Sequence, residues 1–312
     1  MKLCNEQIII KGIQREMHIE NVFYPGDYSL ILELTDKRIV GTSKNCSISI
    51  CSIDYETKTW HHDVYKEHAH DQDIKSFCEL PHSRLISGSN DYTIKVWATS
   101  KYELTLIQTL SQHTNIVHKV IVINDNVFAS CSHDKTIKLW NNEAPYQEVS
   151  TLINESIVCH ILHISKRNTL IASNYANSLV FWNVKQCKVV AVVKGVYSAN
   201  PNHMIELPND HIAVSSYAPT HPIVIVDVVK EIKEEGYITG HSSLCLVDDM
   251  SFVYVYDGRF VQIALKDYTV VYKSNAYEEL NGFRGVLLVG NKKYLLIENK
   301  SNGVDVVTPV YL

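Results

Sequence analysis

Two twelve-residue stretches standing 43 residues apart set the terms on which this chain can fold. Residues 87–98 read SGSNDYTIKVWA and residues 130–141 read SCSHDKTIKLWN, which puts Asp91, Thr93, Ile94, Lys95 and Trp97 in register with Asp134, Thr136, Ile137, Lys138 and Trp140. In the second stretch residues 130–132 end one extended run, residues 133–135 form a polar turn, and Ile137 and Leu139 alternate with Thr136, Lys138 and Trp140. A two-residue period is that of a strand, so each stretch reads as a β-hairpin.

Weaker copies carry the same spacing along the chain. Measured at the position of Trp97 and Trp140, the series runs Cys51, Trp97, Trp140, Trp182, Val226, Ala264 and Val307, with steps of 46, 43, 42, 44, 38 and 43 residues. Repeats bury their apolar faces against neighbouring copies, and a period of roughly 40–45 residues is that of a four-stranded propeller blade. A helical pair would need apolar positions three and four apart over ten or more residues. These segments are short, rich in Val, Ile, Thr and Tyr, and cut by turns such as Asn209-Asp210 and Asp257-Gly258. The expected fold is therefore all-β, a seven-bladed propeller of four-stranded antiparallel blades.

At this point the residues resemble the WD-repeat family of β-propellers. In that family a well-formed blade is braced by a His before the first strand, a Ser or Thr in the second, an Asp in the following turn and a Trp in the third. The resemblance assigns this structural brace to His70, Ser87, Asp91 and Trp97 in the second blade and to His113, Ser130, Asp134 and Trp140 in the third, both with 27 residues from His to Trp. A half-buried carboxylate needs donors, which imidazole, hydroxyl and indole groups can supply. The likeness is uneven. The first blade has Asn45 and Cys51 at the Asp and Trp positions, the fourth has Ala176 with Trp182, and the last three have neither Asp nor Trp.

Val307 stands five residues before Leu312, leaving no length for a fourth strand, while residues 6–13 (EQIIIKGI) form an extended apolar segment ahead of the first blade. The expectation is that residues 6–13 complete the last blade, about 282–312, and that residues 1–312 are one propeller. Closure of this kind removes open sheet edges.

A net charge of −5 and a pI near 6.3 argue against a general nucleic-acid binder. Neither a membrane span nor a signal peptide is evident, and the eight cysteines form no C-x-x-C pair, which together point to a cytoplasmic protein with reduced thiols, the nucleus remaining open. Residues 61–73 (HHDVYKEHAHDQD) are rich in His and Asp, but His70 belongs to the brace and the segment reads as an outer strand and loop. No phosphate-cradling glycine loop and no G-x-S-x-G turn occurs, so no catalytic residue, metal ligand or cofactor is assigned.

In a propeller the turns between second and third strands edge one face of the ring. The residue before the brace Asp is Lys44, Asn90, His133, Tyr175, Pro219, Asp257 and Lys300 in successive blades. This mixture suits recognition of a peptide segment or folded domain of a protein partner. The leading expectation is a non-enzymatic protein–protein interaction scaffold or adaptor. One competing reading is an enzyme or small-ligand or metal binder using the central channel, where His118, His160 and His163 interrupt apolar first strands. Another is a substrate receptor of a ubiquitin ligase.

Overall fold

The computed structural model describes residues 9–10, 13–14, 18–20, 30–43, 46–54, 59–197, 200–208, 210–216, 222–230, 232–239, 244–256, 259–273, 285–289, 294–299 and 303–308. The described residues are β-structure with one short 3-10 turn, Ser165–Arg167. Near the N-terminus lie β1 (Ile9–Ile10), β2 (Ile13–Gln14) and β3 (His18–Glu20). A first sheet follows, β4 (Ile31–Glu33), β5 (Ile39–Ser43), β6 (Ser47–Asp54) and β7 (Thr59–Lys66). The second is β8 (Ile74–Leu80), β9 (Arg84–Ser89), β10 (Ile94–Thr99) and β11 (Leu104–Leu110). The third is β12 (Val117–Asn124), β13 (Val127–Ser132), β14 (Thr136–Asn141) and β15 (Glu148–Ile153). The fourth is β16 (Val158–Ile164), β17 (Thr169–Asn174), β18 (Ser178–Asn183) and β19 (Lys188–Lys194). The fifth is β20 (Pro201–Leu207), β21 (His211–Ser216), β22 (Pro222–Asp227) and β23 (Ile232–Thr239). The sixth is β24 (Cys245–Asp248), β25 (Ser251–Tyr256), β26 (Arg259–Ala264) and β27 (Val270–Lys273). The seventh combines β28 (Gly285–Val289), β29 (Tyr294–Asn299) and β30 (Gly303–Thr308) with β3.

Each of the first six sheets is an antiparallel meander in chain order. First strands neighbour first strands, β12 lying against β8 and β16, and β16 against β20. Second strands are sealed on both faces: all six residues of β9 are buried. Fourth strands such as β19 are largely exposed. The core therefore lies between consecutive sheets. Leu80, Ile86, Val96, Val117, Val120, Phe128 and Trp140 fill the space between the second and third, where Phe128 and Trp140 stack at 6.0 Å between centroids. A Cβ on Gly88 would sit 2.8 Å from Cγ1 of buried Val117, so glycine lets these two sheets approach.

Of residues 6–13, expected to complete the last blade, residues 9–10 and 13 are described: Ile10 pairs with Ile13 and Ile9 with Gln14 in a local two-stranded hairpin, and the others lie outside the described residues. The strand that joins the last sheet is β3, with Ile19 opposite Val307.

The first strands of the second to fifth sheets share a bulge near their starts. Register shifts between Ile74 and Ser76, Val117 and Lys119, Val158 and His160, and Pro201 and His203. The added residues are Lys75, His118, Cys159 and Asn202. A bulge sets two residues opposite one and re-aims side chains. No helix among the described residues is long and apolar enough to cross a membrane.

Candidate functional site

The eight brace residues come together as two nearly identical relays. His70 Nδ1 donates to Asp91 Oδ2 at 2.8 Å, its Nε2 lies 2.7 Å from Ser87 Oγ, and Trp97 Nε1 donates to the same oxygen at 2.8 Å. In the third sheet His113 lies 2.7 Å from both Asp134 and Ser130, and Trp140 donates to Ser130 at 2.8 Å. A carboxylate can only accept, so Nδ1 carries the proton, Nε2 accepts from the serine hydroxyl, and the serine oxygen accepts from indole. Burial lowers the pKa of His70, in keeping with this neutral imidazole. Thr93 and Thr136 complete the turns, donating N–H and hydroxyl to Asp91 Oδ1 and Asp134 Oδ1. Burial pushes both aspartates up, but hydrogen bonds from the imidazole and threonine outweigh it and hold them well below the usual carboxylate range.

The fourth sheet has no such relay, and its Trp182 Nε1 is buried without a hydrogen-bond partner among the described residues. Ala172 and Ala176 stand where the third sheet has Ser130 and Asp134. A different device holds the turn. Asn174 Oδ1 accepts from Ala176 N–H at 3.0 Å and from the Ser178 hydroxyl at 2.9 Å. Tyr197, three residues past β19, accepts from Asn174 N–H at 2.9 Å and lies 2.8 Å from the Asn174 carbonyl and 2.9 Å from that of Ser178. Sequence reasoning missed Tyr197 because it belongs to no motif. The signal available was its place three residues past a fourth strand, where His113 stands after β11.

Of the seven rim positions, Lys44, Pro219, Asp257 and Lys300 lie outside the described residues. Asn90, His133 and Tyr175 occupy equivalent places: their N–H groups donate to the carbonyls of Asp73, Ile116 and Ile157, each the residue before a first strand. The residue two beyond each has a left-handed backbone, Tyr92, Lys135 and Asn177. His133 and Tyr175 meet edge to face at 5.8 Å, and Tyr175 is 37% exposed.

The rim joins the first strands through histidine. His133 Nε2 touches Nε2 of His118, the bulge residue of β12, at 2.5 Å. Further along the same edge, His160 and His203 meet edge to face at 5.1 Å. His163 stands apart, opposite Leu170 toward the other end of β16. Burial lowers the His118 pKa to about 4 and that of His203 to about 3. It likewise pushes the thiols of Cys78 and Cys159 up, to about 11 and about 12, which makes them inert. Among the described residues no three His, Cys, Asp or Glu side chains are placed to hold a metal ion, and this includes residues 61–73.

Two segments of the chain, residues 62–98 and 104–141, match the family model described as WD domain, G-beta repeat. Each match opens in the outermost strand of one sheet and closes on the tryptophan strand of the next. Nuclear distribution protein nudF of Aspergillus flavus is 39% identical over 106 residues, 33% of this chain and 23% of that protein. Apoptotic protease-activating factor 1 of Rattus norvegicus is 32% identical over 145 residues, 46% of this chain and 10% of that one. Methylosome protein WDR77 of Xenopus laevis is 19% identical over 247 residues, 76% of this chain and 70% of that one. The chain thus spans about a quarter of the length of the nudF proteins it matches. Both matched segments carry a complete His–Ser–Asp–Trp relay, so residues 62–98 and 104–141 are WD repeats.

Proposed function

We propose that this chain is a non-enzymatic interaction platform, a single seven-bladed propeller over residues 1–312 whose ring is closed by β3, and that it acts as an adaptor for protein partners in the cytoplasm. The observation that carries the reading is the repeated anchoring of Asn90, His133 and Tyr175, whose backbones are tied to the starts of three successive first strands. Side chains held this way lose little further freedom when a partner docks, so more of the contact energy appears as affinity. Protein segments or a folded domain suit the mixed aromatic and polar edge. Lys44, Asp257 and Lys300 are assigned to the same face by their place in the repeat.

The test is affinity capture by the intact protein beside a variant carrying Asn90→Ala, His133→Ala and Tyr175→Ala, the two matched for melting temperature. Loss of a defined set of captured proteins from the variant supports the platform and its face. Identical capture by the two overturns it.

A further inference from the structure

The shared bulge places unlike residues at one structural position. Lys75-Ser76 in the second sheet become His118-Lys119 in the third, Cys159-His160 in the fourth and Asn202-His203 in the fifth. In the second sheet this position is a plain structural joint: Ser76 Oγ accepts the N–H of Val120 in the neighbouring first strand at 2.8 Å. In the next three sheets a basic side chain replaces that serine.

The groups facing one another along this edge are cationic or imidazole. His118 faces His133 and Lys75; His160 faces Lys119, His203 and His118; His203 faces Lys119. Besides these imidazoles Lys119 faces the thiols of Cys78 and Cys131, and burial lowers its pKa. The acids nearest this edge are otherwise engaged. Asp73 is exposed and 3.9 Å from Lys75, and Asp91 and Asp134 are held in their braces. Such a set does not stabilise the fold, since Lys119 is desolvated with no carboxylate among the groups facing it.

A second observation points outward. His160 is only 6% exposed, yet neither of its ring nitrogens has a hydrogen-bond partner among the described residues. Buried polar atoms are almost always paired, and an orphan imidazole amid basic groups calls for an acceptor from outside. The Nε2-to-Nε2 contact of His118 with His133 needs one ring to donate and the other to accept, so at least one of the two is neutral without a ligand.

We propose that His118, Lys119, His133, His160 and His203 form an oxyanion-binding site at the inner edge of the third to fifth sheets, which takes the phosphate or carboxylate group of a side chain presented by a protein partner. The partner half of this statement rests on the platform reading above; the oxyanion half does not. Lys119 supplies charge, the imidazoles supply N–H donors, and protons are taken up as the anion enters. Tyr175, in contact with His133, borders the site.

The probe is inorganic phosphate added to the full chain, followed by histidine side-chain NMR. Resonances of His118, His133, His160 and His203 are expected to shift saturably while those of brace residues His70 and His113 stay put. Binding tightens as pH falls, by up to about tenfold per pH unit for each proton taken up. Lys119→Met and His160→Gln are each expected to weaken phosphate binding by about tenfold, one lost charge-assisted contact, with Lys119→Arg retaining it. Absence of a saturable shift, equal shifts at all histidines, or an unchanged affinity in a folded Lys119→Met protein would overturn the site. Should Lys119→Met not fold, His160→Gln decides by the same reading. If phosphate binds but the rim variant captures the same proteins, the platform falls and the oxyanion site stands; if capture is lost but phosphate does not bind, the reverse holds. Phosphatase treatment of a captured partner then separates the two sources, releasing a phosphate ester and leaving a carboxylate bound.

Discussion

Ser130→Ala removes one oxygen and leaves the packing almost unchanged, which makes it the sharpest probe of the brace. That oxygen accepts from Trp140 Nε1 and bonds His113 Nε2, both at buried sites. Without it, two buried polar groups lose their partner at once. Each such loss costs about 1–3 kcal/mol, so the expected destabilisation is about 2–4 kcal/mol, taking the lower half of the range because some relaxation follows. A solvent water could rescue the indole only if room existed, and Trp140 and Phe128 are both 0% exposed. The assay is urea unfolding together with hydrogen exchange of amides in β13 and β14, since a chain of repeats need not unfold in one step. Loss of exchange protection in the third sheet at unchanged protection in the fifth is the expected pattern. A change under about 0.5 kcal/mol, within the range of ordinary surface substitutions, would refute the claim that the relay is an energetic unit.

The fourth sheet supplies the opposite experiment, because Ala172→Ser offers buried Trp182 Nε1 the acceptor it lacks; a gain of about 0.5–1.5 kcal/mol in urea unfolding is expected. Tyr197→Phe should remove about 1–3 kcal/mol by leaving the Asn174 N–H without its partner, with faster amide exchange confined to the turn between β17 and β18. Acid should act in two stages. Burial depresses His70, His118 and His203 below the ordinary 6.5, so the stability they contribute is complete above that value and is lost as pH falls beneath it. Asp91 and Asp134 are depressed below 3.8, so their contribution is present above that value and is lost as pH falls further. Urea midpoints should therefore hold from pH 8 to 7, decline below about 6.5 and drop again below about 4; Asp91→Asn should flatten the last limb and, by removing the carboxylate that raises His70, steepen the first.

What could be read from the chain depended on whether a device is local in sequence. The relay of the third sheet spans 27 residues and repeats, so Ser130, Asp134 and Trp140 announce it. The fourth sheet does the same work with Asn174 and Tyr197, whose identities carry no shared pattern, and only their hydrogen bonds reveal the substitution. At the N-terminus the apolar pattern points to residues 6–13, whereas the described strand that pairs with β30 is β3, whose three residues are too short to show a strand period. Three rim residues, Asn90, His133 and Tyr175, fall at equivalent positions because the turn register is fixed by the same repeat that exposed them in sequence. Their chemistry did not follow from position. His118 and His133 are 15 residues apart, and strict alternation through β12 would not bring them together. The extra residue in the bulge does. The same bulge converts a structural serine in one sheet into Lys119, His160 and His203 in the next three, so the repeat conserves a backbone irregularity while changing what it presents. The proposed oxyanion site therefore lies on the least regular part of the most regular element, where a substitution changes what is presented without touching the relay that holds the turn beside it.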